Sequence, residues 1–140
     1  MGGEGGERVD VFFYGLFMDE ALLRAKGLRP ERRRAASVKG FRLVIGERAT
    51  LVPCAGATAH GVLFSLTRAE VEALYSEESV AAYRAESVGA RLADGAAAPA
   101  LCFNLPEPPA ASERNPQYAA KLRELAGRLG LPPGYVSSIV

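Results

Sequence analysis

A chain of 140 residues, 49% of them hydrophobic and none tryptophan, suffices for about one domain around one core. Its 17 Lys and Arg against 16 Asp and Glu leave a net charge of +1, which excludes any general attraction to nucleic acid or to a membrane surface. The longest apolar runs, Val11–Met18 and Ala96–Phe103, are too short to cross a bilayer, and Cys54 and Cys102 alone build neither a disulfide framework nor a zinc cage.

The first seven residues, Met1-Gly2-Gly3-Glu4-Gly5-Gly6-Glu7, carry no apolar signal core, and Gly6 stands where a myristoylation pattern needs Ser or Thr. Residues 1–7 are therefore expected to be a flexible tail on a single domain over 8–140, with a cytoplasmic location. Val9–Tyr14 is β-branched and aromatic and reads as a buried first strand. It runs into Tyr14-Gly15-Leu16-Phe17-Met18. A strand that breaks at glycine towards a helix turns backbone N–H groups outward, where they can hold an anion. The same residues read as an ordinary tight turn, since no Gly-x-Gly-x-x-Gly or Gly-Lys-Ser/Thr signature is present.

Asp19 is placed to cap a helix over Glu20–Lys26, with Gly27 as its left-handed stop. Arg29 to Arg34 is a basic cluster broken by Pro30 and Glu31, and reads as a solvated loop rather than a phosphate patch. Val38–Ile45 is a second strand. Thr50–Thr58, with Pro53 and Gly56, reads as loop or irregular edge, and Gly61–Leu66 as a further strand. His60, the only histidine, lacks a partner that spacing identifies; a packed or exposed histidine is the ordinary outcome there.

Thr67-Arg68-Ala69-Glu70 is a capping box, opening a helix that runs to about Glu77 with Val71, Leu74 and Tyr75 on one face. Glu78 follows, beside Glu77 and before an apolar Val-Ala-Ala. A carboxylate so placed suits proton transfer if desolvation and its like-charged neighbour raise its pKa; two exposed acids on a turn is the plainer reading. Tyr83–Leu92 and Ala98–Leu105 are strands around an Asp94-Gly95 turn. Asn115 caps a last helix with Pro116 in its first turn and Gly130 at its end. Tyr118, Leu122, Leu125 and Leu129 form its apolar face, where Tyr118 is a core aromatic or a ligand contact. Strands with short helices inserted between them give an α+β fold, a small, mixed, partly closed sheet or barrel.

In order, these segments resemble the γ-glutamylcyclotransferase-like family, which includes the AIG2-like proteins, from about Val9 to Ile139. Val11-Phe12-Phe13-Tyr14-Gly15 is similar to its opening strand and Tyr-Gly-Ser/Thr-x-Leu loop, and Gly61-Val-Leu-Phe-Ser-Leu-Thr to its central strand. Leu74-Tyr-Ser-Glu-Glu-Ser-Val80, then Tyr83 and Val88, resembles the family's L-D-x-x-E-G…Y…V segment. Asn115-Pro116-Gln117-Tyr118 and Gly130-Leu131-Pro132-Pro133-Gly134-Tyr135 resemble the ending of its glutathione-pathway members.

The resemblance implies that Glu78 is the catalytic general acid/base, with Glu77 one residue away in register. It also implies that Tyr14, Gly15, Leu16 and Phe17 form the substrate loop, whose Gly15–Phe17 backbone cradles an α-carboxylate, and that Tyr83 and Tyr118 line the pocket. The implied reaction converts a small-molecule γ-glutamyl substrate to 5-oxoproline, with no metal or organic cofactor, by a monomer or homodimer that binds neither nucleic acid nor membrane. Leu16 and Phe17 depart from the family's polar residues, and Tyr75 and Ser79 stand where Asp and Gly are usual. The alternatives are a non-catalytic or regulatory domain that binds a small anion in the same pocket, and an interaction module built on the apolar loop or on the Arg29–Arg34 segment.

Overall fold

A computed structural model describes residues 7–140; the tail expected at the N-terminus falls, but for Glu7, outside the described residues. Five strands form the frame: β1 (Arg8–Phe13), β2 (Glu31–Ile45), β3 (Ala49–Thr67), β4 (Arg84–Leu92) and β5 (Ala97–Asn104). They close into a barrel in the order β1-β3-β2-β4-β5, so closure is complete rather than partial. β1 supplies the seam, antiparallel to β3 (Val11 opposite Phe64) and parallel to β5 (Val11 opposite Leu101). The remaining neighbours are antiparallel.

Alternation along the strands sorts two cores. Phe12, Ala36, Ala59, Val88 and Ala100 belong to a cluster drawn from all five strands, the barrel interior, where alanines suit the narrow bore. Val11, Phe13, Val62, Phe64 and Leu66 point the other way and pack under the helices. Four helices do the covering: α1 (Glu20–Ala25), α2 (Arg68–Tyr75), α3 (Pro116–Arg128) and α4 (Pro133–Ser138). Leu23, Leu74, Leu122 and Leu125 are their main contributions.

The local signals set the helix ends. Asp19 accepts the Ala21 N–H, Thr67 and Glu70 form the reciprocal capping box, and Asn115 accepts the Tyr118 N–H. Gly27 and Gly130 take φ of +90° and +81°, conformations that a side chain resists.

Three expectations are corrected. Thr50–Thr58 is strand, not loop: Thr50 is fully buried, its hydroxyl accepts the Leu105 N–H at 2.9 Å, and the Leu51 N–H reaches Asn104 at 3.1 Å. Pro53 is tolerated because it sits opposite Phe41 beside a register shift, where its missing N–H costs little. Arg29 to Arg34 is not a solvated loop throughout, since Glu31 onward belongs to β2 and Arg34 grips Asp10 through two bonds of 2.8 and 3.2 Å. The helix expected to reach Glu77 stops at Tyr75, and α4, started by Pro133, was not anticipated.

Candidate active site

The chain leaves β1 at Tyr14 and turns through Gly15 into a single 3-10 turn, Leu16–Met18. Gly15 has φ −113°, open to any residue, so conformation does not demand glycine there. Space does: a β-carbon on Gly15 would stand 2.5 Å from Tyr118 Oη. The same Oη accepts the Leu16 N–H at 3.2 Å and ties the loop to the first turn of α3. Of the three amides expected in an anion cradle, that of Leu16 is therefore occupied. Those of Gly15 and Phe17 have no acceptor among the described residues.

This loop walls a cavity of about 410 Å³, a size typical of small-molecule sites. Tyr14, Gly15, Leu16, Phe17, Tyr83 and Tyr118 all line it, although they come from separate elements. The loop's apolar residues have a packing role. Phe17 meets Phe13 and Tyr75 edge-on, with ring centres 6.1 Å apart in both cases. Tyr75 stacks on Phe103 at 3.8 Å. The only large hydrophobic residue exposed among the described residues is Val140, so the interaction-module reading finds no apolar patch.

Beside Tyr75 at the end of α2, already noted as a departure from Asp, the lining holds residues that sequence reasoning did not single out: Lys26 at the end of α1, and Glu47 and Arg48 at the tip between β2 and β3. No local motif marks them; only the fold brings them to the loop. The tip is anchored from outside. Glu113 accepts the Glu47 N–H at 3.0 Å and the Ala110 N–H at 2.9 Å, and Asn115 Nδ2 donates to the Glu47 carbonyl at 3.1 Å.

The four phenols that line the cavity differ in what they have left to offer. Tyr14 donates to the Phe103 carbonyl at 2.6 Å, and Tyr83 donates to the Ala49 carbonyl at 2.5 Å. Tyr118 accepts from Leu16 and keeps its own proton. Tyr75 Oη has no hydrogen-bond partner among the described residues. Burial pushes Tyr83 up to about 12, helped by Tyr118 and opposed by the positive charge of Arg48. Burial likewise raises Tyr14, Tyr75 and Tyr118, so all four are O–H groups at neutral pH.

Glu78 begins a 3-10 turn, Glu78–Val80, and is exposed. Its neighbours Ser79 and Val80 line the cavity, but Glu78 is not among the lining residues. Glu77 is committed elsewhere, its carboxylate 2.8 Å from Lys26 Nζ. The one carboxylate in the described lining is Glu47. His60 lies outside the cavity, edge-on to Tyr135 at 4.9 Å, with its pKa lowered by burial. No group of three His, Cys, Asp or Glu side chains is placed to hold a metal among the described residues.

Comparison with known proteins agrees with this architecture. Residues 11–121 match the family described as "Gamma-glutamyl cyclotransferase, AIG2-like". No match was found among curated proteins. A solved structure named "Gamma-glutamyl cyclotransferase" superposes with a TM-score of 0.80 at 18% identity, covering 96% of this chain and 89% of its own. An uncharacterized protein from Homo sapiens gives 0.78 at 20% identity, with 96% and 89% covered. YkqA from Bacillus subtilis gives 0.76 at 23% identity, and here the match spans 96% of this chain but 53% of the other. At such identities the likeness is one of fold.

Proposed function

The chain belongs to the γ-glutamyl cyclotransferase, AIG2-like family, and from that membership and its cavity we propose that it converts a γ-glutamyl amino acid or amine to 5-oxoproline. The α-amine nitrogen attacks the γ-carbonyl carbon and a five-membered lactam C–N bond forms. The original amide C–N bond breaks, and the two protons lost by the attacking ammonium nitrogen end on the departing nitrogen, which leaves as an ammonium. No water is consumed.

The observation that carries this reading is the pairing of two unoccupied loop amides, Gly15 and Phe17, with an aromatic lining in one cavity of suitable size. The amides suit an α-carboxylate, and Arg48 in the same lining adds positive potential, Lys26 being paired with Glu77. Because the reaction is intramolecular, holding the folded-back conformer is the main task, worth up to about 7–11 kcal/mol in favourable cases. In this reading Glu78, by its place in the segment Leu74–Val80, relays protons, one at a time, from the ammonium nitrogen to the leaving nitrogen. A second reading, a domain that binds a small anion without turnover, draws on the exposure of Glu78 outside the cavity lining.

The test is 5-oxoproline release from γ-glutamyl dipeptides, γ-glutamyl amines and glutathione, run beside Glu78→Gln and Glu47→Gln. Release lost only in Glu78→Gln supports the assignment, and loss only in Glu47→Gln moves the acid to the hairpin tip. A folded wild-type protein that is silent across the panel would favour the binding domain.

A further inference from the structure

We propose that the Tyr75 hydroxyl is a built-in hydrogen-bond donor for the carbonyl oxygen at which the cyclisation occurs, a role resting on the reaction proposed above. Tyr75 lines the cavity, and its Oη is bonded to nothing among the described residues, whereas the phenols of Tyr14, Tyr83 and Tyr118 each have a protein partner. Tyr75 Oη is not sealed off, the buried hydroxyl without a partner among the described residues being that of Tyr135, so it is open to the cavity and free to donate to a ligand there.

The ring is fixed before any ligand arrives. It stacks on Phe103 at 3.8 Å with 10° between the planes, meets Phe17 edge-on at 6.1 Å, and lies 6.3 Å from the Tyr83 ring. A donor so held needs no reorganisation, the condition under which a hydrogen bond to developing charge is most effective. The surroundings also choose which substrate oxygen it serves. Arg48 and the loop amides suit a permanent carboxylate charge, Lys26 being paired with Glu77. Tyr75 packs on Phe17 and Phe103 and brings an uncharged donor, with Lys26 Nζ 5.9 Å from the Phe17 ring centre. A neutral amide carbonyl that turns into an oxyanion only in the transition state fits there. Tyr75 stands where Asp is usual in the family segment it resembles.

The experiment compares wild type with Tyr75→Phe, which keeps the stacked ring and removes only the hydroxyl. Expected is a loss in kcat of about 10²-fold, as for removal of one oxyanion donor, with KM raised no more than about tenfold by the lost bond to the resting carbonyl. Thermal stability is expected to be equal or higher, because the deleted group has no protein partner; a merely structural Tyr75 would instead lower Tm. Unchanged kcat, or a loss confined to KM, overturns the proposal. Binding of 5-oxoproline itself, by calorimetry, separates this proposal from the reaction. Its lactam carbonyl is expected to bind about tenfold more weakly to Tyr75→Phe. If wild type turns over nothing yet shows that difference, the donor stands and the reaction falls. If wild type turns over γ-glutamyl substrates and Tyr75→Phe matches it in kcat and in product binding, the reaction stands and the donor falls. A wild type that neither turns over nor binds 5-oxoproline overturns both.

Discussion

Tyr118 Oη accepts the Leu16 N–H at 3.2 Å and stands 2.5 Å from the point a β-carbon on Gly15 would occupy. One hydroxyl from α3 therefore both fastens the cavity loop and dictates that the neighbouring residue be glycine. The next Tyr118 atom, Cζ, is 3.8 Å from that point, an ordinary contact.

Gly15→Ala and Tyr118→Phe should accordingly be strongly non-additive. Tyr118→Phe leaves the Leu16 amide without its partner, at a cost of about 1–3 kcal/mol. Gly15→Ala alone forces the loop and the hydroxyl apart, at a comparable cost of about 1–3 kcal/mol. Together they should cost less than their sum by about 1–2 kcal/mol, because the phenylalanine removes the atom that the alanine strikes. Urea denaturation of the four proteins measures the coupling; strict additivity would mean that the hydroxyl does not hold the loop.

Glu77 and Glu78 should separate stability from turnover. Glu77 pairs with Lys26 at 2.8 Å, with the two side chains 37% and 27% exposed, so Glu77→Gln should cost less than about 1 kcal/mol, and less still at high salt. Glu78 is exposed and bonds to nothing among the described residues. Glu78→Gln should leave Tm unchanged while lowering 5-oxoproline release by about 10²-fold or more. Melting curves at two salt concentrations, with initial rates, distinguish the two roles.

The legible parts of the sequence were those decided within a few residues. Asp19, the Thr67–Glu70 box, Asp94-Gly95 and Asn115-Pro116 each announce an end or a turn because the group that satisfies the backbone is a chain neighbour. Thr50–Thr58 misled because its partners, Asn104 and Leu105, lie some fifty residues away. Arg34 likewise takes its character from Asp10 across the sheet. At the site, the loop tyrosine and glycine were legible as motif, whereas Lys26, Arg48 and the unpaired Tyr75 hydroxyl exist as site features only once the barrel has closed.

Glu70 predicts the acid behaviour of the fold. Partial burial pushes its pKa up, but the N–H groups of Thr67 and Arg29 and the Thr67 hydroxyl outweigh this and hold it below 4.5. The bonds to Thr67 N and Arg29 N are 2.8 and 2.7 Å. A lowered carboxyl pKa stabilises the fold above the unfolded value, and that stability disappears as pH falls through the folded value. Tm should therefore decline below about pH 4.5 in wild type, more steeply than in Glu70→Gln, which starts lower at pH 7. Melting curves from pH 7 to pH 3 check this; parallel curves would remove Glu70 from the account.

Asn115 joins two tasks that one substitution can divide. Its Oδ1 caps α3 by accepting the Tyr118 N–H at 3.1 Å, and its Nδ2 donates to the Glu47 carbonyl at 3.1 Å, beside the Glu113 carboxylate that holds the Glu47 amide. Asn115→Ala removes both and should cost about 1–2 kcal/mol, the usual loss of an N-cap. Asn115→Asp retains the cap acceptor, and its charge suits a helix N-terminus, but it has no N–H for Glu47 and adds a third acid beside Glu47 and Glu113. It should keep α3 intact and still release the hairpin tip. Amide hydrogen exchange reads the two ends separately: protection at Tyr118 should survive in Asn115→Asp and fall in Asn115→Ala, while protection at Glu47 should fall in both. Because Glu47, Arg48 and Tyr118 line the same cavity, loosening the tip should raise KM for an anionic ligand with the helix still folded.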